Sequence, residues 1–88
     1  MRLRGRTDAN QSDILDALRA VGAEVRSVAA LGSGMGDLLV CFRRRLTLME
    51  VKTVRGQLTP DQVAFHRRWP VQIVRTVDDA LDAIGAKR

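Results

Sequence analysis

"GSGMGDLLVCFRRRLTLMEVKT", residues 32–53, opens with three glycines and then sets two runs of strand-forming residues on either side of an arginine cluster. Glycine reaches backbone angles closed to other residues, so 32–36 reads as a loop. "DLLVCF" and "RLTLMEVK" read as two strands of an antiparallel hairpin that turns at Arg43–Arg44. Arg-Arg is poor tight-turn chemistry, which leaves the turn type open. Side chains alternate along a strand, so Glu50 and Lys52 point to one face. With an even loop centred on Arg43–Arg44, paired residue numbers sum to 87 and Asp37 lies opposite Glu50 on that same face. An odd loop would send Asp37 to the other face.

The residue types at this hairpin are unusual for the chain. Of 15 basic residues 13 are arginine, and the lysines are Lys52 and Lys87; of 10 acidic residues 8 are aspartate, and the glutamates are Glu24 and Glu50. A chain that otherwise uses arginine and aspartate has Glu and Lys two residues apart in an apolar run. Arginine does not give up its proton in a protein, whereas a buried lysine can. Two carboxylates opposed across strands repel unless something positive stands between them. A divalent ion would satisfy both, and oxygen ligands suit Mg²⁺.

Working outward, "TDANQSDILDALRAVG" (7–22) reads as a helix: Ile14, Leu15, Leu18 and Val21 recur at helical spacing, Thr7 or Asp8 can cap it and Gly22 can end it. "AEVRSVAAL" (23–31) reads as a first strand. "TPDQVAFHRRW" (59–69) is a second helix with Thr59 as cap and Pro60 at its first position. "VQIVR" (71–75) is a short strand, and "TVDDALDAIG" (76–85) a closing helix capped by Thr76 and stopped by Gly85. The order is α-β-β-β-α-β-α, an α/β domain over 7–88 behind a basic, flexible start at 1–6. On the second helix Gln62, Phe65, His66 and Trp69 share one stripe, which turns Gln62 inward. Gln11 heads the stripe of the first helix, where Asp8-x-x-Gln11 has the spacing of a capping box. His66, the only histidine, reads as a packing residue.

Eighty-eight residues make one small domain, with 45% hydrophobic and 28% charged residues as in ordinary globular chains. No stretch is long enough to span a membrane, and no apolar segment follows the first arginines as a signal peptide requires. Cys41 stands alone, which excludes a disulfide framework or a cysteine metal cluster and suits a reducing cytoplasm. The net charge of +5 points to a polyanionic partner, nucleic acid first. From Arg43 to Arg75 eight basic residues face only Glu50 and Asp61. The few aromatics, Phe42, Phe65 and Trp69, argue against a platform that stacks single-stranded bases.

With these residues in hand the chain resembles the PD-(D/E)XK nuclease superfamily, and more narrowly the virus-type replication–repair nuclease (VRR-NUC) domains, relatives of archaeal-type Holliday junction resolvases. The resemblance runs from Thr7 to Gly85 and rests on "GSGMGDLLV", "LMEVKT", "LTPDQVAFH" and "IVRTVDDALDAIG", in family order. It implies a restriction-endonuclease-like core, a mixed four-stranded sheet flanked by helices. It further implies that Asp37 and Glu50 hold Mg²⁺ (Mn²⁺ substituting) with the backbone carbonyl of Val51. Lys52 then positions or activates the attacking water, and Gln62 orients Lys52 or the scissile phosphate. Two departures stand out. The family's usual proline before the aspartate is Gly36 here, and where many superfamily members have a first-helix glutamate this chain offers Gln11, an auxiliary candidate alongside Ser33.

Arg43, Arg44, Arg45, Arg55, Arg67 and Arg68 are the candidate DNA-backbone contacts, and phosphate contacts carry no sequence information. The expected function is therefore metal-dependent, structure-selective DNA cleavage, with no small-molecule cofactor. The alternatives are a basic DNA-binding module of the same fold that does not cut, and a structural subunit that packs on an acidic protein. A homodimer is expected, because Leu3, Val28, Leu31, Phe42 and Trp69 offer more apolar surface than so small a core buries, and resolvase relatives act as dimers.

Overall fold

The structure, a computed structural model, describes residues 5–32 and 34–86, with side chains from Asn10 onward. Its elements are α1 (Gly5–Ala20), β1 (Glu24–Ser27), a 3₁₀ turn (Ala29–Leu31), β2 (Leu38–Phe42), β3 (Arg45–Val51), α2 (Pro60–Arg68), β4 (Val71–Val74) and α3 (Val77–Ala83). The strands form one mixed sheet in the order β1-β2-β3-β4, antiparallel through β3 and parallel between β3 and β4. The expected α/β architecture and element order hold. One difference lies in 23–31, where the strand stops at Ser27 and Ala29–Leu31 coils into the 3₁₀ turn. The Val28 N–H pairs with the Asp37 carbonyl at 2.9 Å and closes that ladder.

The helix ends follow their sequence signals. After α1, Gly22 (φ +93) allows a double closure in which Ala23 N–H bonds the Leu18 carbonyl and Gly22 N–H the Arg19 carbonyl. Gly85 (φ +76) closes α3 in the same way through Leu81 and Asp82. The helix α1 begins at Gly5, upstream of Thr7 and Asp8, so neither residue stands at its cap. Met1–Arg4, including Leu3 and most of the expected flexible start, lie outside the described residues.

Two side-chain layers sit on the sheet. Val25, Leu38, Val40, Phe42, Met49, Val51 and Val74 point to one face and pack against Ile14 and Leu18 of α1 and Ala80 of α3. Fully burying an aliphatic side chain of this size contributes about 1.5–3 kcal/mol, so cutting Leu18 back to alanine should cost about 2–5 kcal/mol. Phe42, expected as spare surface, is instead 8% exposed within this core. The pleat sends Glu50 to the face opposite its neighbour Met49. There the short α2 lies over the sheet, with Phe65 buried and stacked on Trp69 at 4.9 Å between ring centroids. One helix covers that face only in part, and Leu46 (69%), Trp69 (47%) and Ile73 (39%) stay exposed.

The β2–β3 register is the even-loop one: pairs run from Leu38↔Met49 to Phe42↔Arg45, each summing to 87. The turn residues Arg43 and Arg44 carry φ of 53° and 69°, the left-handed pair of a type I′ turn. Holding a non-glycine residue there costs about 1–2 kcal/mol each.

Candidate active site

Asp37 stands where the glycine loop enters β2. Its N–H donates to the Met49 carbonyl at 2.8 Å and its Oδ2 accepts from the Val51 N–H at 2.8 Å. The carboxylate thus takes over from the backbone at the end of the ladder, one step beyond Leu38↔Met49, which puts it beside Glu50. Two glycines permit this approach. A Cβ on Gly34 would lie 2.7 Å from the Asp61 carbonyl oxygen, and one on Gly36 (φ +115) would lie 3.0 Å from the Met49 carbonyl oxygen. The loop is therefore wedged between the N-terminus of α2 and the backbone of β3.

Glu50 is the one buried charged residue among the described residues, at 4% exposure. Its Oε2 accepts from Gln62 Nε2 at 2.9 Å and pairs with Lys52 Nζ at 3.6 Å. Burial, and next the Asp37 carboxylate, push its pKa from 4.5 up to about 6, while Lys52 pulls the other way. Gln62 is also the third residue of a capping box, its Oε1 accepting from the Thr59 N–H at 2.9 Å while Thr59 Oγ1 accepts from the Gln62 N–H. One amide therefore ties the start of α2 to the buried carboxylate. In this geometry Gln62 orients Glu50; neither of its bonds goes to Lys52.

Asp37, Glu50, Val51, Lys52, Thr53 and Gly56 line a cleft of about 330 Å³. Asp37, Glu50 and Gln62 also border a smaller one of about 130 Å³ against the glycine loop. The loop after β3 is held from below: Arg75 Nη1 donates to the carbonyls of Thr53 (2.7 Å) and Gly56 (2.8 Å). Asn10 of α1 donates to the carbonyls of Lys52 (3.0 Å) and Arg75 (3.3 Å).

No family model matches the chain, and no curated protein matches its sequence. A solved structure described as a VRR-NUC domain superposes with a TM-score of 0.73 at 25% identity, covering 93% of this chain and 97% of that one. This chain has the VRR-NUC nuclease-like fold.

Within that fold Asp37, Glu50, Val51 and Lys52 line one cleft, and Gln62 reaches it through its bond to Glu50. The donor set suits a hard cation: two carboxylates side by side and a backbone carbonyl, with no cluster of three or more His, Cys, Asp or Glu among the described residues. Mg²⁺ keeps several waters and takes one or two protein carboxylates, so a third is not required. Gly36 sits at φ +115°, a conformation closed to the proline that the resemblance would place there, whose φ is fixed near −65°.

The remaining candidates are spread out. Arg55 is exposed in the loop between Thr53 and Gly56, two residues that line the cleft. Arg67 and Arg68 are exposed in the last turn of α2, with Arg68 5.9 Å from the Phe65 ring centroid. Arg43, Arg44 and Arg45 sit at the hairpin end farthest from Glu50. Gln11 is half-buried on α1 with no hydrogen bond among the described residues, and Ser33 lies outside them. Burial, and then Lys52, lower the His66 pKa below the usual imidazole range. Its Nε2 is buried without a partner among the described residues.

Sequence reasoning missed Asn10 and Arg75. Nothing in a lone Asn or Arg announces that its partners are carbonyls 19 or more residues away. The Thr59–Gln62 capping box has its own sequence signal, T-x-x-Q, independent of the hydrophobic stripe.

Proposed function

We propose that this protein is a metal-dependent DNA endonuclease that hydrolyses phosphodiester bonds, selecting DNA by structure rather than sequence. The observation that supports this most directly is the joint placement of Asp37, Glu50 and Lys52 at one cleft, with Glu50 buried and fastened by Gln62. A fold that leaves two carboxylates side by side in a semi-buried position accepts a cost that a bound cation removes. Asp37, Glu50 and the Val51 carbonyl would hold Mg²⁺ or Mn²⁺. When bound, such an ion lowers the pKa of water and offsets charge on the phosphate. Lys52, with its ammonium 3.6 Å from Glu50, remains free to donate to a water or a phosphate oxygen at the mouth of the cleft. Arg55 in the loop after β3, and Arg67 and Arg68 on α2, supply backbone contacts that read no bases.

The decisive experiment is nicking of supercoiled plasmid with and without Mg²⁺, comparing wild type with Asp37→Ala, Glu50→Ala and Lys52→Ala. Mg²⁺-dependent nicking lost in all three supports the reading. DNA binding without any nicking would leave the non-cutting DNA-binding module. A panel of junctions, flaps, splayed arms and plain duplex then tests structure selection.

A homodimer belongs to the same proposal. The half-covered sheet face, with Leu46, Trp69 and Ile73 exposed, is the apolar surface available for pairing. Light scattering at micromolar concentration should give twice the chain mass, and a monomer would remove paired cutting while leaving nicking possible. Cys41, a free cysteine, suits action in a reducing compartment.

A further inference from the structure

Arg43 and Arg44 occupy both central positions of a type I′ turn at φ 53° and 69°, a conformation for which Asn-Gly is the unstrained choice. Both side chains are exposed. The Arg43 guanidinium lies 4.7 Å from the Phe42 ring centroid, which props it at the tip. Arg44 makes no hydrogen bond or ion pair among the described residues. Residues 38–49 contain no acidic residue, so the tip-side part of the hairpin carries charge of one sign. Strain that a fold retains at an exposed turn is a pointer to use.

The tip is also far from the cleft. Arg43 is six residue steps from Asp37 along β2, and Arg44 six steps from Glu50 along β3. At about 3.3 Å per residue this is roughly 20 Å. A DNA strand in duplex advances about 3.4 Å per base pair, so the tip stands roughly six base pairs from the cleft. Only a stiff partner gives such a spacing meaning. A flexible single strand would need stacking surfaces, and the tip's one aromatic, Phe42, is buried.

We propose that the Arg43–Arg44 tip is a second phosphate-binding point, which grips duplex DNA about six base pairs from the bond held at Asp37, Glu50 and Lys52. The protein therefore requires a duplex arm at least that long. This rests on the nuclease reading for what the cleft holds, but its test does not depend on cleavage.

The test measures binding, in chelator, of the full chain to hairpin-closed DNA stems of about 5 and about 16 base pairs, for wild type and the double variant Arg43→Asn/Arg44→Gly. Wild type should bind the longer stem roughly tenfold more tightly at low salt, and the variant should bind both alike with a salt slope lower by about 2. Because Asn-Gly relieves the turn, the variant should melt roughly 5 °C higher, so weaker binding would not reflect unfolding. Equal binding of both stems by wild type would overturn the proposal. So would an equal loss on both stems, no loss at all, or a lower melting midpoint in the variant. Absence of nicking with arm-length-dependent binding intact would instead sink the nuclease reading alone.

Discussion

Replacing Glu50 by glutamine should make the metal-free protein more stable. Burial and Asp37 raise the Glu50 pKa from 4.5 to about 6. That difference, at 1.36 kcal/mol per pKa unit, makes the ionised carboxylate about 2 kcal/mol less favourable in the fold than in the unfolded chain. The sign follows from linkage: the native state binds this proton more tightly, so the cost is absent below pH 4.5, grows between pH 4.5 and 6, and is complete above 6. Glutamine removes the charge but still offers Gln62 an acceptor at the same place, so only the Lys52 pairing is lost, and that is already counted in the net shift. The expected gain at pH 7 is therefore about 1–2 kcal/mol, or roughly 5–10 °C in melting midpoint for a domain of this size. The assay is thermal unfolding by circular dichroism at pH 5 and pH 7 in chelator, repeated with Mg²⁺. Wild type should lose stability from pH 5 to pH 7 relative to Glu50→Gln, and only wild type should gain from the ion, by about 2.7 kcal/mol at a hundredfold excess over its dissociation constant. A variant no more stable than wild type at pH 7, with the same pH slope, would refute the reasoning.

Arg75→Ala removes the donor that holds the Thr53 and Gly56 carbonyls, charge-assisted bonds worth about 1.5–3 kcal/mol. Urea unfolding should show a loss of that order, and nicking should fall although Arg75 is not proposed to touch DNA. Gly36→Pro should be destabilising by more than about 1 kcal/mol because φ +115° is closed to proline; an unchanged urea midpoint would contradict the loop geometry. Gln62→Glu keeps the capping acceptor but sets a carboxylate against Glu50, so it should lower the melting midpoint at pH 7 more than at pH 5. Lys52→Arg should leave the melting curve within a few degrees of wild type and abolish nicking, since a guanidinium is bulkier and holds its proton.

The element order was readable because the signals are local. Glycine at 22 and 85, Thr59-Pro60 and Thr76 each act within a single turn of backbone, and the 2-residue alternation of β2 and β3 needs no distant partner. The β2–β3 register was readable up to one binary choice, the parity of the loop, and the two left-handed arginines settled it against their own preference. Chemistry was visible as residue types: a rare Glu and a rare Lys at i, i+2, and an aspartate after glycines. What the sequence left open depends on contacts between distant segments. Phe42 was read as surface, because nothing local says that α1 and α3 cover its face of the sheet. The role of Gln62 turned on α2 crossing the opposite face, which brings its amide to Glu50 and fixes the carboxylate rather than the lysine. The raised pKa of Glu50 likewise belongs to the fold alone, since desolvation and the nearness of Asp37 exist only once β2, β3 and α2 have closed around it.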